Sequence, residues 1–162
     1  MSQDLLHQYE AAGELLSQAI RGLTREDMLI VPDPAADVGK WSIQQVAIHI
    51  ADAEFAFGDR IRRILAEDDP ILQAWDENKF ATNLFYDQQS AQDAADLVRL
   101  IRAQTSRILK AAPPATLTSR KGRHSERGPQ TVMDVLGYAV PHLERHVSFI
   151  HRKRANMGKE MW

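Results

Sequence analysis

The sequence contains no cysteine. This absence excludes a disulfide framework, a thiolate nucleophile and any cysteine-based metal site, so a metal ion would have to be held by His, Asp, Glu or water. Apolar runs long enough to cross a bilayer are also missing, and the N-terminal segment has no apolar signal core. We therefore expect a cytoplasmic protein without a membrane partner.

An excess of charge of one sign is lacking as well. The chain carries 20 Lys and Arg against 22 Asp and Glu, for a formal net charge of −2. This balance gives no electrostatic reason to expect a nucleic-acid partner. One short basic stretch is formed by Arg120, Lys121, Arg123 and Arg127. Because stacking aromatics are missing beside it, we interpret it as a solvated loop, with binding of an anionic cosubstrate as the alternative.

Helical periodicity dominates what is present. Apolar residues recur every three or four positions in four segments, 3–23, 43–66, 90–110 and 131–154. The last three segments begin at residues typical of helix N-termini, Ser42, Ser90 and Thr131. The sequence shows no convincing strand pattern, no internal repeat and no interdomain linker. The sequence predicts an all-α four-helix bundle that forms a single domain over 1–162, with a crossover and a short helix at 71–89.

Three histidines are the strongest sign of chemistry. His142 and His146 are four residues apart on the apolar stripe of the fourth segment, so their side chains point the same way. His49 lies on the flank of the apolar stripe of the second segment. A buried imidazole needs a hydrogen-bond partner or a metal ion, and three that converge would form a site with an open coordination position. From the residues alone, a metal site and ordinary core histidines are equally supported.

The spacing of these histidines disfavours one class of metalloenzyme. The segment reads H-x-x-x-H without a glutamate directly after His142, and Glu144 lies on nearly the opposite helical face. A peptidase of the H-E-x-x-H type is therefore not predicted. No other residue is an obvious general base, although Asp52 and Glu54 are candidates because they follow His49 closely.

Several short motifs resemble a known family. Lys40-Trp-Ser-Ile43 followed by the segment 46–54 resembles the W-S-x-x-x-x-x-x-H-[LI]-x-[DE] signature of the DinB/YfiT-like superfamily. Gly128-Pro-Gln-Thr-Val132 and the pair His142 and His146 resemble the approach to the last helix of that family and the helix itself. The resemblance implies a four-helix bundle with a long crossover between the second and third helices, and the segment 67–89 is long enough to supply it.

The resemblance also implies a metal centre and an activity. By position, the ligands would be His49, His142 and His146, holding one divalent zinc or nickel ion per chain. Characterised members include transferases and isomerases that use bacillithiol, mycothiol or glutathione, and many are dimers. It therefore implies a homodimeric enzyme that acts on a small-molecule substrate with a low-molecular-weight thiol, as an S-transferase or isomerase.

Two alternatives to the thiol enzyme stay open. One is a metal-dependent hydrolase. The other is a non-catalytic helical dimer in which the metal is structural or absent, and which presents the aromatic crossover to a partner.

Two further residues match family positions. Asp76 matches an acidic position that follows the crossover in relatives, where it would orient water or substrate, although a helix cap is the favoured interpretation. His124 resembles a loop histidine of some relatives that approaches the mouth of the site. For His124 we expect an exposed loop side chain.

Overall fold

The computed structural model describes residues 2–161, with side chains from residue 4 onward. The helices are α1 (Ser2–Ala11), α2 (Leu15–Ile20), α3 (Arg25–Leu29), α4 (Ile43–Ala66), α5 (Glu77–Asn83), α6 (Ala91–Ala111), α7 (Thr116–Ser119) and α8 (Val132–Asn156). The strands are β1 (Ile71–Leu72), β2 (Lys121–His124) and β3 (Gly128–Thr131).

The long helices form the predicted bundle. Helix α4 packs against α6 and α8, while α1 and α2 together supply the fourth side by packing against the same two helices. Side chains such as Leu16, Ile50, Val98 and Leu143 are buried where these helices meet. The prediction of an all-α four-helix bundle is confirmed, and α5 lies within the crossover between α4 and α6.

Local capping explains where the long helices begin. The Ser42 hydroxyl accepts a hydrogen bond from the backbone N–H of Gln45, while the side-chain oxygen of Gln45 accepts one from the backbone N–H of Ser42. These two bonds form a capping box at the start of α4. Thr131 and Asp134 form the same arrangement at the start of α8. These caps set the position of each metal-ligand candidate along its helix.

The first helical segment is not continuous as predicted. A 3-10 turn at Ala12–Glu14 separates α1 from α2, and α2 ends at Ile20 rather than near Leu23. Gly22 adopts a left-handed conformation with φ of +76°, which stops the helix before the predicted end. Ala12 and Gly13 are buried at this turn.

A small three-stranded sheet was not predicted from the sequence. Strand β1 pairs in parallel with β2, and β2 pairs antiparallel with β3. Its strands are two to four residues long, too short to show the alternation that identifies a strand. Gly122 lies against Leu72, and a Cβ at Gly122 would come within about 3 Å of the Leu72 side chain. The sheet therefore ties the crossover to the segment that precedes α8.

None of the helices within residues 2–161 is both long enough and apolar enough to cross a bilayer.

Candidate metal centre

The structure brings the three predicted histidines together. Nε2 of His49 lies 3.3 Å from Nε2 of His142 and 3.2 Å from Nε2 of His146. The candidate ligand atoms of all three lie within 4.8 Å of one another. Because His49 comes from α4 and the other two from α8, packing of these two helices creates the cluster.

Burial keeps the three imidazoles neutral. His49 is 1% exposed and His142 is 7% exposed, while His146 is half-buried. Burial is the main cause that lowers the pKa of His49 to about 3, of His142 to about 2 and of His146 to about 4. Neighbouring positive charges, including that of Arg145, lower them further. A neutral imidazole has a free lone pair, which is the form that binds a metal ion.

The separations fit a cation held by three nitrogens. Zn–N bonds of about 2.0–2.1 Å in tetrahedral geometry place neighbouring ligand atoms roughly 3.3–3.4 Å apart. The two measured Nε2–Nε2 distances from His49, 3.2 and 3.3 Å, are close to that spacing. Without a cation, the lone pairs of the three neutral imidazoles would point at one another, which is unfavourable because each is a hydrogen-bond acceptor. The residues present therefore fit a divalent ion with an open coordination position.

Aromatic packing, rather than hydrogen bonding, orients the rings. The Nδ1 atoms of all three histidines are buried and have no hydrogen-bond partner among the described residues. Metal-bound histidines commonly donate this second N–H to a carboxylate or carbonyl. Here the rings contact an aromatic shell at centroid distances of 5.0–6.0 Å, made of Trp41, Phe57, Trp75, Tyr138 and Phe149.

A carboxylate that the sequence did not single out approaches the cluster. Oε2 of Glu77 lies 3.9 Å from Nε2 of His49. Glu77 opens the short helix α5 and its side chain is 55% exposed, so it reaches the cluster from the solvent side. Because α5 lies in an aperiodic segment, no sequence pattern marked this residue. Its position next to Asp76, which was singled out, is the only signal that could have found it.

Asp76 itself caps a helix. Its Oδ1 accepts from the backbone N–H groups of Asn78 and Lys79 at 3.0 and 3.1 Å, which satisfies the first turn of α5. The side chain lines a neighbouring groove with Phe55 and Lys79 and does not line the cavities that open onto the histidines. The catalytic assignment of Asp76 stays a prediction, and its contacts are those of a helix cap, which is the interpretation that the sequence favours.

The two carboxylates that follow His49 in the sequence are engaged elsewhere. Asp52 accepts a hydrogen bond from the hydroxyl of Tyr86. Glu54 is fully buried and pairs with Arg102 on the side of α4 that faces α6. Neither carboxylate lines a cavity that opens onto the histidines.

Two cavities reach the histidine cluster, and Glu77 lines both. The first has a volume of about 130 Å³ and opens onto His49 and His142. The second has a volume of about 260 Å³ and opens onto His146, with Lys40 and Lys153 in its wall. The cluster is therefore accessible to small molecules from two directions.

The expectation of an exposed His124 is wrong. His124 is 5% exposed and lines the first cavity, because strand β2 holds it between β1 and β3. Its Nδ1 accepts from the backbone N–H of Glu126 at 3.2 Å. Burial lowers the pKa of His124, and the charges of Arg60 and Arg127 lower it further.

The basic stretch divides into paired and unpaired residues. Arg120 binds Asp68 at 3.0 Å and Arg123 binds Asp69 at 3.0 Å, both at the surface. Arg127 instead stacks over the ring of Tyr138, with 4.1 Å between its guanidinium carbon and the ring centroid, and lines the first cavity. Arg123 is exposed but lies in strand β2, and Arg127 lines a cavity, so the solvated-loop interpretation describes neither of these two residues.

Comparison with known proteins identifies the fold and the family. A protein of Oceanobacillus iheyensis named "Putative metal-dependent hydrolase OB0782" is 21% identical over 145 residues, which cover 90% of this chain and 81% of that protein. The structure of YfiT from Bacillus subtilis, described as a probable metal-dependent hydrolase with an unusual four-helix bundle topology, superposes with a TM-score of 0.85 at 20% identity. That superposition covers 96% of this chain and 87% of YfiT. The sequence model of the DinB superfamily matches residues 8–150, and the chain therefore belongs to the DinB superfamily.

Proposed function

We propose that this protein is a metal-dependent hydrolase that holds one divalent zinc or nickel ion through His49, His142 and His146. The observation that carries the proposal is the convergence of three neutral imidazoles with the Glu77 carboxylate beside them. The two similar proteins described as metal-dependent hydrolases support the same activity.

The three histidines determine which cations could bind and whether a coordination position would stay open. Imidazole nitrogen suits both zinc and nickel, and three protein ligands leave a coordination position open, as in catalytic rather than structural zinc sites. A divalent cation held here would supply Lewis acidity, which lowers the pKa of a bound water and, by binding a carbonyl oxygen, makes the carbonyl carbon more electrophilic. The aromatic shell limits access to the two cavities and excludes bulk water from the other sides of the rings.

Glu77 supplies the general base that the sequence did not reveal. Its carboxylate is 3.9 Å from Nε2 of His49, so it lies beside the proposed cation site, within hydrogen-bond reach of a water molecule that would bind there. In the proposed reaction Glu77 accepts a proton from the attacking water and returns it to the leaving group. Exposure of its side chain leaves the carboxylate free to move between these two positions.

Transfer to a low-molecular-weight thiol is a second candidate function. The observation that favours it is the second cavity at His146, because a two-substrate reaction needs room for both reactants beside the same centre. In this version the thiol occupies one cavity and the electrophile the other. The acidified group would be the thiol instead of water, and the product would be a thioether.

One assay separates the two functions. Protein loaded with zinc or nickel is incubated with chromogenic esters and amides, and separately with an epoxide and an aryl halide, each with and without glutathione or a cysteine-based thiol. The thiol opens the epoxide or displaces the halide to form a thioether. Hydrolysis without thiol, lost in His49→Ala, supports the hydrolase. Turnover that requires thiol and forms a thioether supports the transferase and overturns the hydrolase. A protein that binds no metal after reconstitution overturns both.

We further propose a homodimer, the assembly that the family resemblance implies. Exposed apolar side chains, including those of Phe55, Leu84 and Phe85, supply surface that a second copy could cover. Light scattering would give twice the 18.3 kDa mass of the chain if the proposal is right and the monomer mass if it is wrong.

A further inference from the structure

Two arginine side chains that line the first cavity form no ion pair with a described carboxylate. Arg60, on α4, is only 6% exposed, yet among the described residues it makes no ion pair. Its one hydrogen bond runs from Nη2 to the carbonyl of Gln73 at 2.7 Å. A guanidinium has five N–H donors, so most of the donor capacity of Arg60 is unused by the fold.

Arg127 adds a second guanidinium to the same wall. It lies over the ring of Tyr138, which itself stacks on His142 with 5.8 Å between the ring centroids. Arg127 forms no ion pair with a described carboxylate, unlike Arg120 and Arg123 of the same segment. Stacking fixes the plane of the guanidinium and leaves its N–H edge free to bind.

The two arginines are close enough to influence each other and His124. Burial and then the charge of Arg127 lower the pKa of Arg60, while the carboxylates of Asp59 and Glu126 act in the opposite direction. Glu126 lines the same cavity, but its carboxylate makes no ion pair with either arginine. Glu77 also lines this cavity, so its two arginines and two glutamates balance in formal charge, yet neither arginine forms an ion pair with a described carboxylate.

His124 completes a set of donors. Its Nδ1 accepts a hydrogen bond from the backbone, so the proton of the neutral ring lies on Nε2. The free nitrogens of Arg60 are reached by solvent through the cavity, so they can bind a ligand. An unpaired guanidinium beside a second guanidinium and an N–H donor is a suitable site for an anionic group that arrives with the ligand.

We infer that Arg60, Arg127 and His124 form a binding site for a carboxylate group of the substrate, in the cavity beside His49 and His142. The planar fork of an arginine matches a carboxylate in two parallel hydrogen bonds. The volume of about 130 Å³ suits a small carboxylate-bearing fragment. The inference rests on the proposed function, since it places the anionic end of the substrate next to the metal centre.

The test measures binding of acetate rather than turnover. The arginine Nε–H resonances of isotope-labelled protein are followed by NMR during titration with acetate, with neutral acetamide and with inorganic phosphate, in zinc-loaded and metal-free protein. Acetate is expected to shift the Arg60 and Arg127 resonances in both forms, and acetamide is not. Arg60→Gln and Arg127→Gln should each weaken acetate binding roughly tenfold or more.

Matched variants separate the site from general charge effects. Arg63→Gln, one turn along α4, removes an exposed arginine that pairs with Asp59 and Glu67, and it should leave acetate affinity unchanged. Arg60→Lys keeps the charge but removes the fork, so it should weaken acetate binding, though less than Arg60→Gln does. Because Arg127 is exposed, Arg127→Gln tests the site even if Arg60→Gln fails to fold.

Three outcomes would overturn the carboxylate site. They are equal acetate affinity in the wild type and in Arg127→Gln, acetamide binding as tight as acetate binding, or phosphate binding more than about tenfold tighter than acetate binding. Zinc content is measured on the same samples. If zinc binds normally and the substitutions of Arg60 and Arg127 leave acetate affinity unchanged, this inference fails while the proposed function stands. If no sample holds zinc but acetate binds metal-free protein as expected, the proposed function fails while the carboxylate site stands.

Discussion

The carboxylate of Glu77 lies 3.9 Å from the Nε2 atom of His49, although one residue belongs to an exposed crossover helix and the other to the buried face of α4. This contact places a carboxylate on the solvent side of the histidine cluster. It also places α5 as one wall of both cavities that open onto the cluster. The crossover is thus part of the candidate site as well as a connection between helices.

The first prediction concerns metal content. Protein purified without a histidine tag should contain about one zinc or nickel ion per chain, and His49→Ala, His142→Ala and His146→Ala should each lower the content by at least about tenfold, because two imidazoles bind a divalent ion far more weakly than three. Elemental analysis after dialysis measures this. His151→Ala is the matched control, since His151 lies on α8 but is exposed. Equal metal content in His49→Ala and His151→Ala would contradict the assignment.

The second prediction distinguishes two neighbouring acidic residues. Glu77→Gln should lower the rate of hydrolysis by the zinc-loaded protein about 10²- to 10⁴-fold, because it removes the general base, and should leave zinc content unchanged. Asp76→Asn should change the rate little, since asparagine also caps a helix. Steady-state kinetics on both variants provides the measurement. A large loss in Asp76→Asn with an active Glu77→Gln would instead assign the catalytic role to Asp76.

The third prediction concerns the buried pair of Glu54 and Arg102. Arg102 is 0% exposed and donates to the Glu54 carboxylate and to the carbonyls of Tyr9 and Ala139, so it links α1, α4 and α8. Arg102→Met should lower the free energy of unfolding by about 3–5 kcal/mol, because the Glu54 charge would remain buried without its partner. Urea denaturation checks this value.

A double variant tests the cause of that loss. Glu54→Leu combined with Arg102→Met removes both charges, and it should recover most of the lost stability. If the double variant is no more stable than Arg102→Met alone, packing around the guanidinium, rather than the orphaned carboxylate, explains the loss.

The fourth prediction concerns pH in the metal-free protein. Burial lowers the pKa of each clustered histidine far below the ordinary value of 6.5, to about 3 for His49, 2 for His142 and 4 for His146. As pH falls below 6.5, the unfolded chain takes up protons that the folded chain does not, so the free energy of unfolding decreases. The expected loss at about pH 5 is on the order of 1–2 kcal/mol for each histidine.

Denaturation curves of metal-free protein at about pH 7 and pH 5 measure this loss. His142→Phe replaces one titrating ring with an aromatic ring that cannot take up a proton, so its stability should depend less steeply on pH. His151→Ala should keep the steepness of the wild type. Identical pH dependence in the wild type and His142→Phe would show that the cluster does not remain neutral.

Most helix positions and the common direction of His142 and His146 could be predicted because both follow from local rules, whereas the approach of His49 to them was implied by the family resemblance. The i, i+4 spacing of His142 and His146 fixes their common direction on any helix, and the Ser42 capping box fixes where α4 begins and so where His49 falls along it. The 3-10 turn after α1 could not be predicted, since only contact with the other helices favours it over a continuous helix. The short strands likewise depend on partners distant in the chain, as with Gly122 against Leu72.

The sequence by itself determined four amphipathic helical segments and which face of each would be buried, and hence that two of the three histidines would point into the core. Only the tertiary structure decided that Glu77, Arg60 and His124 share cavities with them. Helical periodicity depends on residues three or four positions apart in the sequence. These contacts depend instead on the path of the crossover and the pairing of β1 with β2. Those arrangements are set by packing between distant segments, which no local pattern records.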